Sequence, residues 1–74
     1  MIVYSKTICP KCLWIKSELQ QKELGYQEIN IDNNAEARQK IIEAGILTVP
    51  VVEINGVLIS EMPNIMAQIA AMSK

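Results

Sequence analysis

Seventy-four residues suffice for one domain, residues 1–74, and leave no length for a second; a chain this short buries only about 60% of the surface it exposes when unfolded, which excludes an elaborate cleft. Half of the residues are hydrophobic, yet there are only two Tyr, one Trp and no Phe, so the core must be built from Ile, Val, Leu, Met and Ala. A net charge of -1 and a pI near 5.3 argue against nucleic acid or an anionic membrane as partner, since either would call for a clustered basic surface.

Met1–Tyr4 is short and apolar, as a buried strand would be, and Ser5–Ile8 follows as a loop. These first residues lack a charged region followed by an apolar run, so no targeting segment is expected. From Pro10 to about Leu24 the spacing is helical: Cys12, Ile15 and Leu19 form an inward stripe, and Lys16, Glu18, Gln20 and Lys22 take the other face. Trp14 and Leu13 then point outward. Gly25 is expected to end this helix as a left-handed cap. Tyr26–Ile31 alternates as a strand, with Ile29 and Ile31 inward. A strand, helix and strand in succession normally make a parallel pair with a right-handed crossover.

Asp32, Asn33 and Asn34 offer capping side chains to a second helix, Ala35–Ala44, whose inward residues should be Ala37, Ile41 and Ile42 and which Gly45 terminates. Val49–Ile54 reads as a strand with Pro50 at its start, because proline cannot donate within a central ladder. Asn55-Gly56 is a strong hairpin signal, and Val57–Ile59 is the returning strand. Pro63 suits the first turn of a third helix running through Asn64–Met72, in which Met62, Ile65, Met66, Ile69 and Met72 should be core. The expected fold is α/β, in the order β-α-β-α-β-β-α: a four-stranded mixed sheet flanked by three helices. The longest uncharged stretch, Met62 to Ser73, falls far short of the ~20 apolar residues of a membrane span.

The chemistry is concentrated in Cys9-Pro10-Lys11-Cys12, which holds the only two cysteines of the chain and stands between the first strand and the first helix. A thiolate at a helix start meets unsatisfied N–H groups and the positive end of the helix dipole, which lowers its pKa. Pro10 fits the first helical position. A partner three residues on is close enough to close a disulfide, so the pair can store two electrons. A structural staple is the weakest alternative, because so short a ring is worth only about 2 kcal/mol. A zinc knuckle is the stronger one, but it needs two more ligands and the chain has no His and no third Cys. With neither a targeting segment nor a membrane span expected, a cytoplasmic protein is expected, and in such a reducing compartment the pair serves catalysis rather than stapling.

Tyr4-Ser5-Lys6-Thr7-Ile8-Cys9-Pro10-Lys11-Cys12, then Thr48-Val49-Pro50, then Ile54-Asn55-Gly56 are spaced as in the glutaredoxins, and the chain resembles this smallest version of the thioredoxin fold over nearly its whole length. The resemblance implies a thiol–disulfide oxidoreductase acting as an electron carrier, with Cys9 the exposed nucleophile and Cys12 the resolving thiol. It also implies that Pro50 is preceded by a cis peptide, which spacing alone leaves open against trans, and that Thr48 and Val49 bind substrate through their main chain. Lys6 matches the lysine that glutaredoxins place near the thiolate and the glycine carboxylate of glutathione. Lys11 adds a second charge where the family more often has an aromatic, and Trp14 is a candidate docking residue.

Two departures bear on the electron donor. The Gly-Gly turn and acidic pair with which glutathione-using members hold the γ-glutamyl group are replaced by Ser60-Glu61-Met62-Pro63-Asn64, and Ile46 and Leu47 stand before Thr48 where an Arg is usual. Ser60-Glu61-Met62-Pro63 is closer to the corresponding stretch of NrdH-type redoxins, which resemble glutaredoxins but are reduced by thioredoxin reductase. The expected partners are disulfide-containing proteins and either thioredoxin reductase or glutathione, with thioredoxin reductase favoured. The chain is expected to be monomeric, with no bound cofactor beyond the Cys9–Cys12 disulfide. The rival reading is an iron–sulfur or metal carrier that uses the cysteine pair in a dimer; Pro10 weighs against it, because cluster-binding relatives carry a smaller residue there.

Overall fold

In the computed structural model, which describes residues 1–46 and 48–72, the apolar start of the chain lies in the middle of a sheet. Among the described residues the elements run β1 (Ile2–Ser5), α1 (Pro10–Gln21), β2 (Gln27–Asn30), α2 (Ala35–Glu43), β3 (Val51–Ile54), β4 (Val57–Ile59) and α3 (Met62–Met72). The sheet order is β2-β1-β3-β4. β1 pairs parallel to β2, with Tyr4 opposite Ile29, and antiparallel to β3, with Val3 opposite Val52. β3 and β4 form the hairpin, whose turn residues Asn55 and Gly56 have φ of 52° and 81°. Two successive positive φ values are what a two-residue turn matching the strand twist requires.

Strand alternation divides the core in two. Val3 and Val52 face Ile15 and Leu19 of α1 and Ile65 and Ile69 of α3. Tyr4 and Val51 face the opposite way, toward Ile31 and toward Ala37 and Ile41 of α2. No helix among the described residues is long and apolar enough to cross a membrane.

Several boundaries differ from the sequence reading, each for a physical reason. β1 extends to Ser5, because this residue pairs with Asn30 and its carbonyl accepts the Ile31 N–H at 2.8 Å, while its buried hydroxyl is satisfied by donating to Glu28 Oε2 at 2.8 Å. α1 stops at Gln21 instead of Leu24, and its left-handed residue is Glu23 (φ 56°) instead of Gly25. Leu24 N–H bonds Leu19 C=O at 2.9 Å and Glu23 N–H bonds Gln20 C=O at 3.1 Å, a Schellman closure that turns Leu24 back onto the core beside Leu19. α2 ends in the same way one residue early, with Gly45 (φ 79°) in the left-handed place and Ile46 folded back toward Ile41. Ile42, expected inward, is 47% exposed, since it lies about 100° around the helix from the buried Ile41. Met72 is likewise exposed, whereas Met62 and Met66 pack partly buried against the α1–α3 core. Pro50 precedes β3 instead of opening it.

Candidate active site

Cys9 is the N-cap of α1 and Pro10 its first helical residue. Extended backbone at Cys9 (φ -155°, ψ 93°) swings its side chain over the helix end, where Sγ accepts the Cys12 N–H at 3.1 Å. This is the position a serine or aspartate oxygen normally fills, satisfying one of the free donors of the first turn. The Leu13 N–H meanwhile bonds the Cys9 carbonyl at 3.1 Å and starts the helical ladder. Cys9 and Cys12 are joined as a disulfide, their Cα atoms 5.2 Å apart. Cys9 is less open than the sequence reading expected, at 9% exposure, because its sulfur folds in over the helix end; Cys12 is more deeply buried still, at 1%. Access to the pair is therefore through Cys9.

The loop that delivers Cys9 is held from β2 and the turn after it. Asp32 accepts the Thr7 N–H at 3.0 Å, and Asn30 donates to the Thr7 hydroxyl at 3.3 Å. The Thr7 N–H holds the Asp32 carboxyl below its ordinary pKa, and the charges of Lys6 and Arg38 act in the same direction. Beneath the loop, Glu28 takes Lys16 Nζ at 2.7 Å as well as the Ser5 hydroxyl, and these two partners, Lys16 first, lower its pKa. Since Lys16 belongs to α1, the contact ties the helix bearing both cysteines to the sheet.

The Val49–Pro50 peptide is cis. Tyr4, one residue before the end of β1, pairs with Val51 at the start of β3, so residues 48–50 and the cysteine loop lie at the same end of the sheet on adjacent strands. Lys6, Thr48 and Val49 share the lining of a groove that α2 closes on its other side. Pro50 is buried and lies outside that lining, as do Cys9, Pro10, Lys11, Cys12 and Trp14. Lys11 is exposed on the first turn of α1. Trp14 points outward, 47% exposed, with Leu13 and the nearly bare Ile8 as further apolar surface flanking the thiols.

Arg38, in the same groove, escaped the sequence reading, and Asp32, read there as a capping candidate for α2, instead accepts the Thr7 N–H while Asn34 caps that helix. Neither belongs to a local motif: the packing of α2 on the sheet brings Arg38 into the groove with Lys6, and the turn after β2 brings Asp32 to the cysteine loop. Leu47, noted in the sequence for the place where an Arg is usual, lies outside the described residues. Among the described residues no group of three or more His, Cys, Asp or Glu is gathered to hold a metal ion. The cluster-carrying alternative would therefore need ligands from outside this chain.

Comparison with known proteins agrees with this geometry. Residues 1–59 match the family model described as Glutaredoxin. The chain is 42% identical over 50 residues to the glutaredoxin-like protein NrdH of Lactococcus lactis subsp. cremoris, an overlap covering 68% of this chain and 69% of the relative. It is 41% identical over 49 residues to glutaredoxin 3 of Escherichia coli K12, covering 65% of this chain and 59% of that protein. Among solved structures, the NrdH-redoxin of Escherichia coli superposes with a TM-score of 0.81 at 22% identity, covering 90% of each chain. A mutant of the thioredoxin-like protein BC3987 superposes with a TM-score of 0.83 at 23% identity, covering 99% of this chain and 95% of that one.

Proposed function

The chain belongs to the glutaredoxin family of thiol–disulfide oxidoreductases, and from that membership we propose the following assignment of roles. The Cys9 thiolate attacks one sulfur of a substrate disulfide; that S–S bond breaks, a mixed disulfide forms, and the departing thiolate takes up a proton. Cys12 then gives up its proton and attacks Cys9 Sγ, releasing the second substrate thiol. The substrate gains two electrons, and the protein is left with the Cys9–Cys12 disulfide. One observation carries this reading: the Cys12 N–H points at Cys9 Sγ from 3.1 Å, a donor already aimed where negative charge must rest. Pro10 fixes the first turn, and Lys6 and Lys11 add positive charge around the sulfur, screened by solvent. The main chain at Thr48 and Val49, beside the cis bond to Pro50, receives the extended substrate segment, while Trp14 with Leu13 and Ile8 supplies apolar docking surface.

The favoured electron donor is thioredoxin reductase. Support comes from the missing acidic pair after the hairpin and from the similarity to the NrdH protein of Lactococcus lactis. The proposed setting is the reducing cytoplasm, with the protein acting as a monomer on disulfide-containing proteins. The deciding experiment couples one disulfide substrate to NADPH oxidation through thioredoxin reductase, and separately through glutathione with its own reductase. The thioredoxin reductase route should run faster; a faster glutathione route would reassign the donor.

A further inference from the structure

Between the buried Ser5 and the buried Cys9 the chain passes through Lys6, Thr7 and Ile8, all three exposed. Burial therefore does not fix the segment that delivers the nucleophile; its one large apolar side chain, Ile8, is 89% exposed. Hydrogen bonds fix it, and among the described residues the bonds made by these three residues all fall on Thr7. The Thr7 N–H donates to the Asp32 carboxylate at 3.0 Å, the Asn30 amide donates to the Thr7 hydroxyl at 3.3 Å, and the Asp32 N–H donates to the Asn30 side-chain oxygen at 2.8 Å. The last residue of β2 and the turn after it thus close a clamp on the residue two before Cys9. In the oxidised protein the Cys9–Cys12 bond pins the same segment from its other end. Reduction removes that tether. The clamp, with the bond from the Leu13 N–H to the Cys9 carbonyl, is then left to hold the sulfur over the helix end.

We infer that Asp32, braced by Asn30, is a positioning residue for the nucleophile: by holding Thr7 it keeps Cys9 of the reduced protein in the extended conformation that aims its sulfur at the Cys12 N–H. The inference rests on the oxidoreductase reading above and adds the residues that keep the attacking thiolate in place. Asp32 serves here through its acceptor oxygen. Its charge works the other way, since a negative group near a thiol opposes ionisation. Two substitutions separate these effects: Asp32→Asn keeps an acceptor oxygen and drops the charge, whereas Asp32→Ala drops both.

The test follows alkylation of Cys9 by iodoacetamide across pH in the reduced full chain, for the unaltered protein and the variants. Asp32→Ala should raise the Cys9 midpoint and slow alkylation below it by about threefold, because a lost helix cap shifts ionisation by about fivefold and the more basic thiolate recovers part of that. The deficit should close above the midpoint, where the thiolate is formed in every variant; a loss of folded protein would leave no such pattern. Asp32→Asn should titrate at or below the unaltered midpoint. Asn30→Ala, which touches no charge, should shift the midpoint in the same direction as Asp32→Ala. Coincident midpoints for Asp32→Ala and Asp32→Asn, or an unshifted one for Asn30→Ala, would overturn the inference and leave the oxidoreductase reading standing. An unaltered protein whose Cys9 titrates as a free thiol would overturn that reading, and this inference with it.

Discussion

Cys9 Sγ accepts the Cys12 N–H at 3.1 Å within the oxidised pair, so reduction delivers a sulfur that is already a helix cap. A cap position discriminates between the two thiols. Cys9 sits where first-turn donors converge, while Cys12, three residues later and 1% exposed, is shielded from solvent and from any incoming disulfide. The roles should therefore separate on substitution. Cys9→Ser is expected to abolish disulfide reduction, because the remaining thiol cannot reach a substrate. Cys12→Ser should still attack but accumulate a mixed disulfide with substrate, visible as added mass in intact-protein spectra. Equal residual activity in the two variants would contradict the assignment.

At the scale of elements, α1 and α2 end with the same motif built from different residues. Gly45 holds the left-handed position after α2 at φ 79°, and Glu23 holds it after α1 at φ 56°. The first closure was legible in the sequence, because glycine in that place has a known meaning. The second was not, because the burial of Leu24 against Leu19 forces a non-glycine residue into the turn and makes Gly25 irrelevant to it. A left-handed conformation costs a residue with a Cβ about 1–2 kcal/mol, only partly offset by the greater freedom glycine has when unfolded. Glu23→Gly should therefore raise unfolding stability by about 0.5 kcal/mol or more. Gly45→Ala should lower it by about 1 kcal/mol through the backbone alone, since a Cβ there meets nothing within 4 Å. Urea denaturation of the two variants checks the opposite signs. Element order, the hairpin turn and the α1 stripe were all readable for the same reason: each depends on residues close in sequence. The Ile42 exposure and the pairing of Arg38 with Lys6 in one groove depend on how α2 is rotated and docked, which no local pattern encodes.

For the whole molecule, three carboxylates tie separate parts of the chain together. Glu28 joins β2 to α1 through Lys16 and to β1 through Ser5; Glu53 joins β3 to α2 through Lys40 and to β1 through the Tyr4 hydroxyl; Asp32 holds the cysteine loop through Thr7. All three have pKa values lowered by these partners, Glu53 by Lys40 first and then by Tyr4. A carboxyl whose folded pKa lies below its unfolded one contributes stability that is complete above the unfolded value, about 4, and is lost as pH falls through the folded value. Stability should thus be flat near neutrality and decline below about pH 4. The double variant Glu28→Gln, Glu53→Gln should be less stable at pH 7 and show a shallower acid decline, measured by thermal melts across the pH range. An acid decline as steep as that of the unaltered protein would contradict this account.

The central claim concerns charge on one sulfur, and the most direct measurement is the pH dependence of alkylation of the reduced protein, resolved by peptide mapping. Cys9 should be modified ahead of Cys12 and titrate below the range of a free thiol, because first-turn N–H groups stabilise its thiolate. A Cys9 that titrates like free cysteine and reacts no faster than Cys12 would contradict the account.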